Sequence, residues 1–159
     1  MAFGRADGTF GPATRYTVGL TPYALAAADF NGDGNLDLVV GNSGEAIVSV
    51  LLNEGGGAFA PALTYASGER TTAVAAADLN GDQKVDFVAA NQFSSSITIW
   101  LGVGDGSFVA GALTNRVAGS GPRGVAIADM DGDRIPDIVT ADYFSSTHQH
   151  LSRTRGWGV

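Results

Sequence analysis

Three nine-residue windows of this chain concentrate oxygen ligands at one fixed spacing. In the first, Asp29, Asn31, Asp33 and Asp37 take positions one, three, five and nine. The second has Asp78, Asn80, Asp82 and Asp86, and the third Asp129, Asp131, Asp133 and Asp137. Alternating oxygen side chains in a tight loop suit calcium, which takes six to eight oxygens in a flexible shell. The backbone carbonyl at position seven, that of Asn35, Lys84 or Ile135, would add one further ligand to each set. Glycine recurs at position four as Gly32, Gly81 and Gly132, where it lets the loop turn tightly.

The charge distribution points the same way. The chain carries a formal charge of −7, and ten of its sixteen Asp and Glu residues lie inside these windows. Clustered carboxylates repel one another unless a cation sits among them. Up to three Ca²⁺ ions would bring the formal charge to −1. The competing reading is a set of Asx-type turns whose acids are simply solvated. Three copies in one register favour the ion. The sites should differ: position six is Gly34 in the first, Gln83 in the second and Arg134 in the third, and Lys84 puts a cation beside the second. The first or the third is therefore expected to bind most tightly. A helix-flanked calcium loop would need a carboxylate at position twelve. Val40, Ala89 and Thr140 stand there, in strand-like sequence.

The elements that must position these loops repeat with them. The first aspartates are 49 and 51 residues apart, and Phe10, Phe59 and Phe108 follow glycine-rich turns at intervals of 49. The two extra residues of the third repeat fall between Phe108 and Gly119, as loop insertions do. Each unit reads as four short strands. A small-residue strand such as 24–28 or 74–77 comes first, followed by an apolar run at 38–40, 87–89 and 138–140. A third strand alternates at 48–50 and 97–99, and a weaker fourth runs through Tyr16 and Tyr65. Four strands per repeat of ~40–50 residues define an all-β fold of propeller-type blades, each a four-stranded antiparallel sheet.

The boundaries expected are 1–22 for the end of a preceding blade, 23–71 for repeat 1, 72–122 for repeat 2 and 123–147 for a truncated repeat 3. All belong to one propeller-like domain. Residues 148–159 read as an atypical, disordered tail. Projecting repeat 2 onto the end of the chain places His148-Gln149-His150-Leu151-Ser152 where Ile97-Thr98-Ile99-Trp100-Leu101 precede. A one-base shift of that stretch, with permissible codons, restores an apolar strand and a turn. A shifted reading frame is thus a hypothesis that the DNA sequence would settle. Propellers close with about four to eight blades. Three repeats therefore imply part of a larger propeller, or self-association through open blade edges.

Other chemistries find little support. The repeats contain no histidine to activate a serine. His148 and His150 have no third metal ligand in view. Every clustered carboxylate belongs to a repeated loop, so an enzyme is not expected. The acidic balance argues against nucleic acid, and no run approaches the ~20 apolar residues that span a bilayer. Cysteine is absent, which removes disulfides and thiolate metal sites. Trp100 and Tyr23 are expected to pack, while Tyr143 could stack on a sugar if exposed.

Together these residues resemble the FG-GAP/VCBS repeat family, whose repeats form the blades of integrin α-subunit propellers and of related microbial secreted proteins. The resemblance rests on Ala6-Asp7-Gly8-Thr9-Phe10, Gly57-Ala58-Phe59-Ala60-Pro61, Gly104-Asp105-Gly106-Ser107-Phe108 and the three aspartate loops, and covers residues 3–146. It implies calcium in the hairpin loop between the first two strands of each blade. It also implies an extracellular or cell-surface module that binds a protein or a glycan, adhesion-like in its role. A carbohydrate-binding propeller and the accessory propeller of a larger secreted enzyme are the alternatives.

Overall fold

The computed structural model describes residues 1–111, 116–117, 120–144 and 147–151, and among them there is no helix. The first unit contains β1 (Pro22–Ala28), β2 (Asp37–Asn42), β3 (Ile47–Leu51), β4 (Asn53–Gly55), β5 (Ala58–Phe59) and β6 (Leu63–Ala66). The second contains β7 (Thr71–Ala77), β8 (Asp86–Asn91), β9 (Ser96–Gly102), β10 (Phe108–Ala110) and β11 (Arg116–Val117). The third contains β12 (Pro122–Ala128), β13 (Asp137–Asp142) and β14 (Thr147–Leu151).

Each unit is an antiparallel sheet built in chain order. The first runs β1-β2-β3-β6, with β4 and β5 forming a separate hairpin between β3 and β6. The second runs β7-β8-β9-β10, and β11 also pairs with β9. The third runs β12-β13-β14. The inner strands β1, β7 and β12 lie side by side, β7 between the other two. This is the arrangement of propeller blades about an axis, and the three blades do not close a ring among the described residues. Small residues in these strands allow the approach. A Cβ on Gly41 of β2 would lie 2.6 Å from Thr71 Cγ2 of β7, so only glycine fits there.

The core lies between blades, as period-two alternation dictates. Val39, Val48 and Val50 of the first sheet meet Phe87 and Ala89 of the second, with Phe30 and Phe108. The opposite face of the second sheet carries Val88, Ile97 and Ile99, which pack with Leu79 against Ile138 of the third. Phe108 is the wedge of the first interface. Its ring meets those of Phe87, Phe30 and Tyr65 edge-on at centroid distances of 4.8, 5.2 and 5.4 Å.

The same register irregularity marks the start of each inner strand, between Pro22 and Ala24, Thr71 and Ala73, and Pro122 and Gly124. These bulges project Tyr23, Thr72 and Arg123 out of step with the ladder. Sequence alternation does not show a single extra residue. Tyr23 is consequently 64% exposed and does not pack as expected. Trp100 does pack: its indole Nε1 donates to the Ala66 carbonyl at 2.9 Å, and its ring lies against Tyr65.

Two other expectations need correction. Tyr65 lies in β6 as anticipated, but the stretch around Tyr16 forms no strand. It is held by side chains instead. The Tyr16 hydroxyl donates to the Gly57 carbonyl at 2.9 Å, and its ring meets Phe59 edge-on. Near the other end, residues 147–151 form β14, with His148, Gln149, His150 and Leu151 opposite Ala141, Thr140, Val139 and Ile138. Ladder hydrogen bonds join main-chain groups and tolerate polar sequence. The first part of the expected irregular tail is therefore strand, while 152–159 lie outside the described residues. The insertion expected after Phe108 falls partly on residues outside the description, and β10 and β11 flank that stretch.

Candidate functional site

Each nine-residue window connects the first strand of a blade to the second, so all three loops lie at the same end of their sheets. In the first loop Asp29 closes the turn: Oδ1 accepts from the amides of Gly32 (2.8 Å) and Asp33 (3.2 Å), and Oδ2 from Gly34 (2.8 Å). The second loop repeats this, with Asp78 accepting from Gly81 and Gln83 at 2.7 and 2.8 Å. In the third, Asp129 accepts from Gly132 and Arg134 at 2.7 and 2.9 Å. Positions three and five add Asx turns. Asn31, Asn80 and Asp131 each accept from the amide two residues on, and so do Asp33, Asp82 and Asp133. The bond from the Asn35 amide, helped by the Asn31 side chain, holds the Asp33 carboxyl below the usual carboxylate range.

Glycine at position four is required by conformation, since Gly32, Gly81 and Gly132 have φ of 75°, 79° and 83°. Position six is also left-handed in all three loops. Gly34 (φ 85°) adopts this without penalty, whereas Gln83 (66°) and Arg134 (69°) pay side-chain strain. Lys84 lies over the neighbouring hairpin: its Cδ would be 3.2 Å from a Cβ on Gly104, and its charge helps lower the Asp105 carboxyl.

The position-nine aspartates are different in kind. Asp37 and Asp86 are wholly buried and Asp137 nearly so. Asp37 Oδ2 accepts from the Phe30 amide at 2.8 Å and Oδ1 from Asn53 at 2.7 Å. Asp86 does the same with Leu79 and Gly102, both at 2.8 Å, and Asp137 accepts from Met130 at 2.9 Å. In the first two loops one carboxylate therefore ties the loop to the chain at or just past the end of the third blade strand, through Asn53 of β4 and Gly102 of β9. Burial pushes the Asp86 carboxyl up, and repulsion from Asp82 and Asp78 adds to this. Sequence spacing marked these residues as candidate ligands; the bracing by Asp37 and Asp86 depends on Asn53 and Gly102, sixteen residues away.

The donor set fits a hard divalent cation. One carboxylate oxygen from each of Asp129, Asp131 and Asp137 lies within 4.8 Å of the others. Ligands on a common Ca²⁺ at about 2.3–2.6 Å can be at most about 5.2 Å apart, so this spacing is compatible. Each carboxylate oxygen has two lone pairs, so an amide bond leaves one for a metal. The structure brings positions one, three and nine of the third loop together; position five, Asp133, is not in that group. His148 and His150 fall where only backbone is described.

The sequence matches the FG-GAP-like repeat three times, over residues 1–40, 29–89 and 78–140. No curated protein is matched by the sequence. The matched segments span most of the chain, overlap at the aspartate loops, and each ends within the second strand of a blade. The chain belongs to the FG-GAP-like repeat family, whose repeats serve as structural and recognition modules rather than catalysts.

Proposed function

We propose that this chain is a calcium-stabilised recognition module in which up to three Ca²⁺ ions hold the loops between the first two strands of each blade. The ligands are Asp29, Asn31, Asp33 and Asp37; Asp78, Asn80, Asp82 and Asp86; and Asp129, Asp131, Asp133 and Asp137. The carbonyls of Asn35, Lys84 and Ile135 complete the sets. The convergence of Asp129, Asp131 and Asp137 carries the reading. Bound calcium would neutralise the carboxylates, including the buried one at position nine, and lock each loop to its blade.

Recognition is assigned to the opposite end of the sheets. There the strand turns and inner-strand bulges present Tyr23, Phe93, Tyr143 and Phe144, each 56–64% exposed. Arg70 stacks over Phe93 at 4.6 Å and Arg123 over Tyr143 at 3.7 Å. Aromatic and arginine side chains dominate the energetics of protein interfaces. The partner class is a protein or glycan on a cell surface, and an extracellular setting supplies the ~10⁻⁴–10⁻³ M calcium that such modules use.

Thermal unfolding in chelator and in 5 mM Ca²⁺ tests the metal reading. Three sites with Kd near 1 mM would together add about 3 kcal/mol by mass action, a clear rise in Tm. Equal Tm values in chelator and calcium would refute it.

A further inference from the structure

The turn from β9 to β10 touches two aspartate loops at once. At its base the Gly102 amide donates to Asp86 Oδ1 of the second loop at 2.8 Å, and Asp86 Oδ2 accepts from Leu79 of that loop at 2.8 Å. A Cβ on Gly102 would strike the Val85 carbonyl, and the Lys84 stem covers Gly104. At its tip the Gly106 amide donates to the Phe30 carbonyl at 3.2 Å. Phe30 is position two of the first loop. Its own amide donates to Asp37 Oδ2 at 2.8 Å, and its ring meets that of Phe108, just past the turn, at 5.2 Å.

Between base and tip the turn is closed. The Val103 amide donates to the Ser107 carbonyl at 2.9 Å, and Asp105 Oδ1 accepts from both the amide and the hydroxyl of Ser107. Gly106 has a φ of 86°, and a Cβ there would lie 2.6 Å from a Leu52 methyl. Other residues are strained in that conformation, so the tip is fitted to glycine. A short path of hydrogen bonds and one closed turn thus joins Asp37 to Asp86, across the boundary between two blades.

We propose that this turn couples the first two loops, so that a divalent cation held in one raises the affinity of the other. The proposal rests on the calcium reading above. Asp37 and Asp86 are ligands in that reading and also the two ends of the path. Fixing either carboxylate favours the docked turn, and the docked turn in its place favours the other. Two ligands that favour one state bind cooperatively, and the effect is reciprocal. Gly106 is then a positioning residue for the first loop, although it belongs to the second blade.

Titration of chelator-stripped, ¹⁵N-labelled protein with Ca²⁺, followed by NMR, reads the loops separately: Gly32 and Gly34 report the first, Gly81 and Gln83 the second. Asp82→Asn lowers the charge of the second loop yet keeps an acceptor for the Lys84 amide. It should weaken calcium binding at the first loop at least about fivefold, and Asp33→Asn should weaken the second loop similarly. In a Gly106→Ala background each substitution should leave the other loop unchanged, whereas an effect of charge through space would persist. Should Gly106→Ala not fold, Asp105→Ala removes the acceptor that closes the turn and should also cut the coupling. Binding at both loops with no cross effect, or a cross effect undiminished in the folded turn variant, would overturn the proposal alone. A wild-type loop without saturable shifts would overturn the calcium reading for that loop, and the coupling with it.

Discussion

The three periodic phenylalanines offer a test of the blade arrangement, because identical chemistry sits in three different environments. Phe108 is 7% exposed and touches Phe30, Tyr65 and Phe87, from both blades flanking the first interface. Phe→Ala in a core costs about 3–5 kcal/mol. Three edge contacts worth roughly 0.5–1.5 kcal/mol each place Phe108→Ala toward the top of that range. Phe59 is partly buried with one aromatic partner among the described residues, Tyr16. Half the transfer energy of a Phe side chain plus one such contact gives about 2 kcal/mol. Phe10 is 71% exposed, and its substitution should stay within about 0.5 kcal/mol. Urea unfolding of the three alanine variants, read by circular dichroism with a common m-value, supplies the comparison. Equal costs for Phe10→Ala and Phe108→Ala would refute the assignment of Phe108 to an interblade wedge.

Further outcomes follow from the loops and turns. Gln83→Gly and Arg134→Gly relieve left-handed backbone strain and should each raise stability by about 1 kcal/mol in chelator, measured by thermal unfolding; a loss would contradict the observed φ values. Asp37→Ala leaves the amides of Phe30 and Asn53 without their acceptor and should cost at least about 2 kcal/mol even without calcium. A calcium-free stability equal to wild type would show that Asp37 is not a brace. Asp105 is held below its ordinary 3.8, first by the Ser107 hydroxyl and then by the Ser107 amide. Its depressed value contributes stability that is complete above about pH 4 and is lost as pH falls through the folded value. The stability gap between wild type and Asp105→Asn should therefore close at low pH, and a gap constant with pH would argue against this bond.

Much of the fold was legible because repetition exposes it. The period located three blades, the aspartates located the loops, and alternation at 48–50 and 97–99 marked the third strands that now hold Val48, Val50, Ile97 and Ile99 in the interblade cores. What the sequence concealed depends on distant partners or on single-residue irregularities. The bulge that exposes Tyr23 leaves no trace in hydrophobic pattern. Tyr16 has the residue type of a strand, yet its backbone is fixed through a hydroxyl bonded to Gly57, 41 positions away. The bracing by Asp37 and Asp86 also escaped notice, since spacing reveals a potential ligand but not the amides that its carboxylate accepts from. The polar sequence at 148–151 obscured a strand whose ladder joins main-chain groups.

Calorimetric titration of chelator-stripped protein with Ca²⁺ tests the central claim most directly. The account predicts saturable binding of up to three ions, with fewer bound once Asp129→Asn and Asp131→Asn are introduced together, and no binding once Asp29, Asp78 and Asp129 are all replaced by alanine in a protein that still folds. Absence of saturable heat at millimolar calcium, or a stoichiometry indifferent to those substitutions, would contradict it.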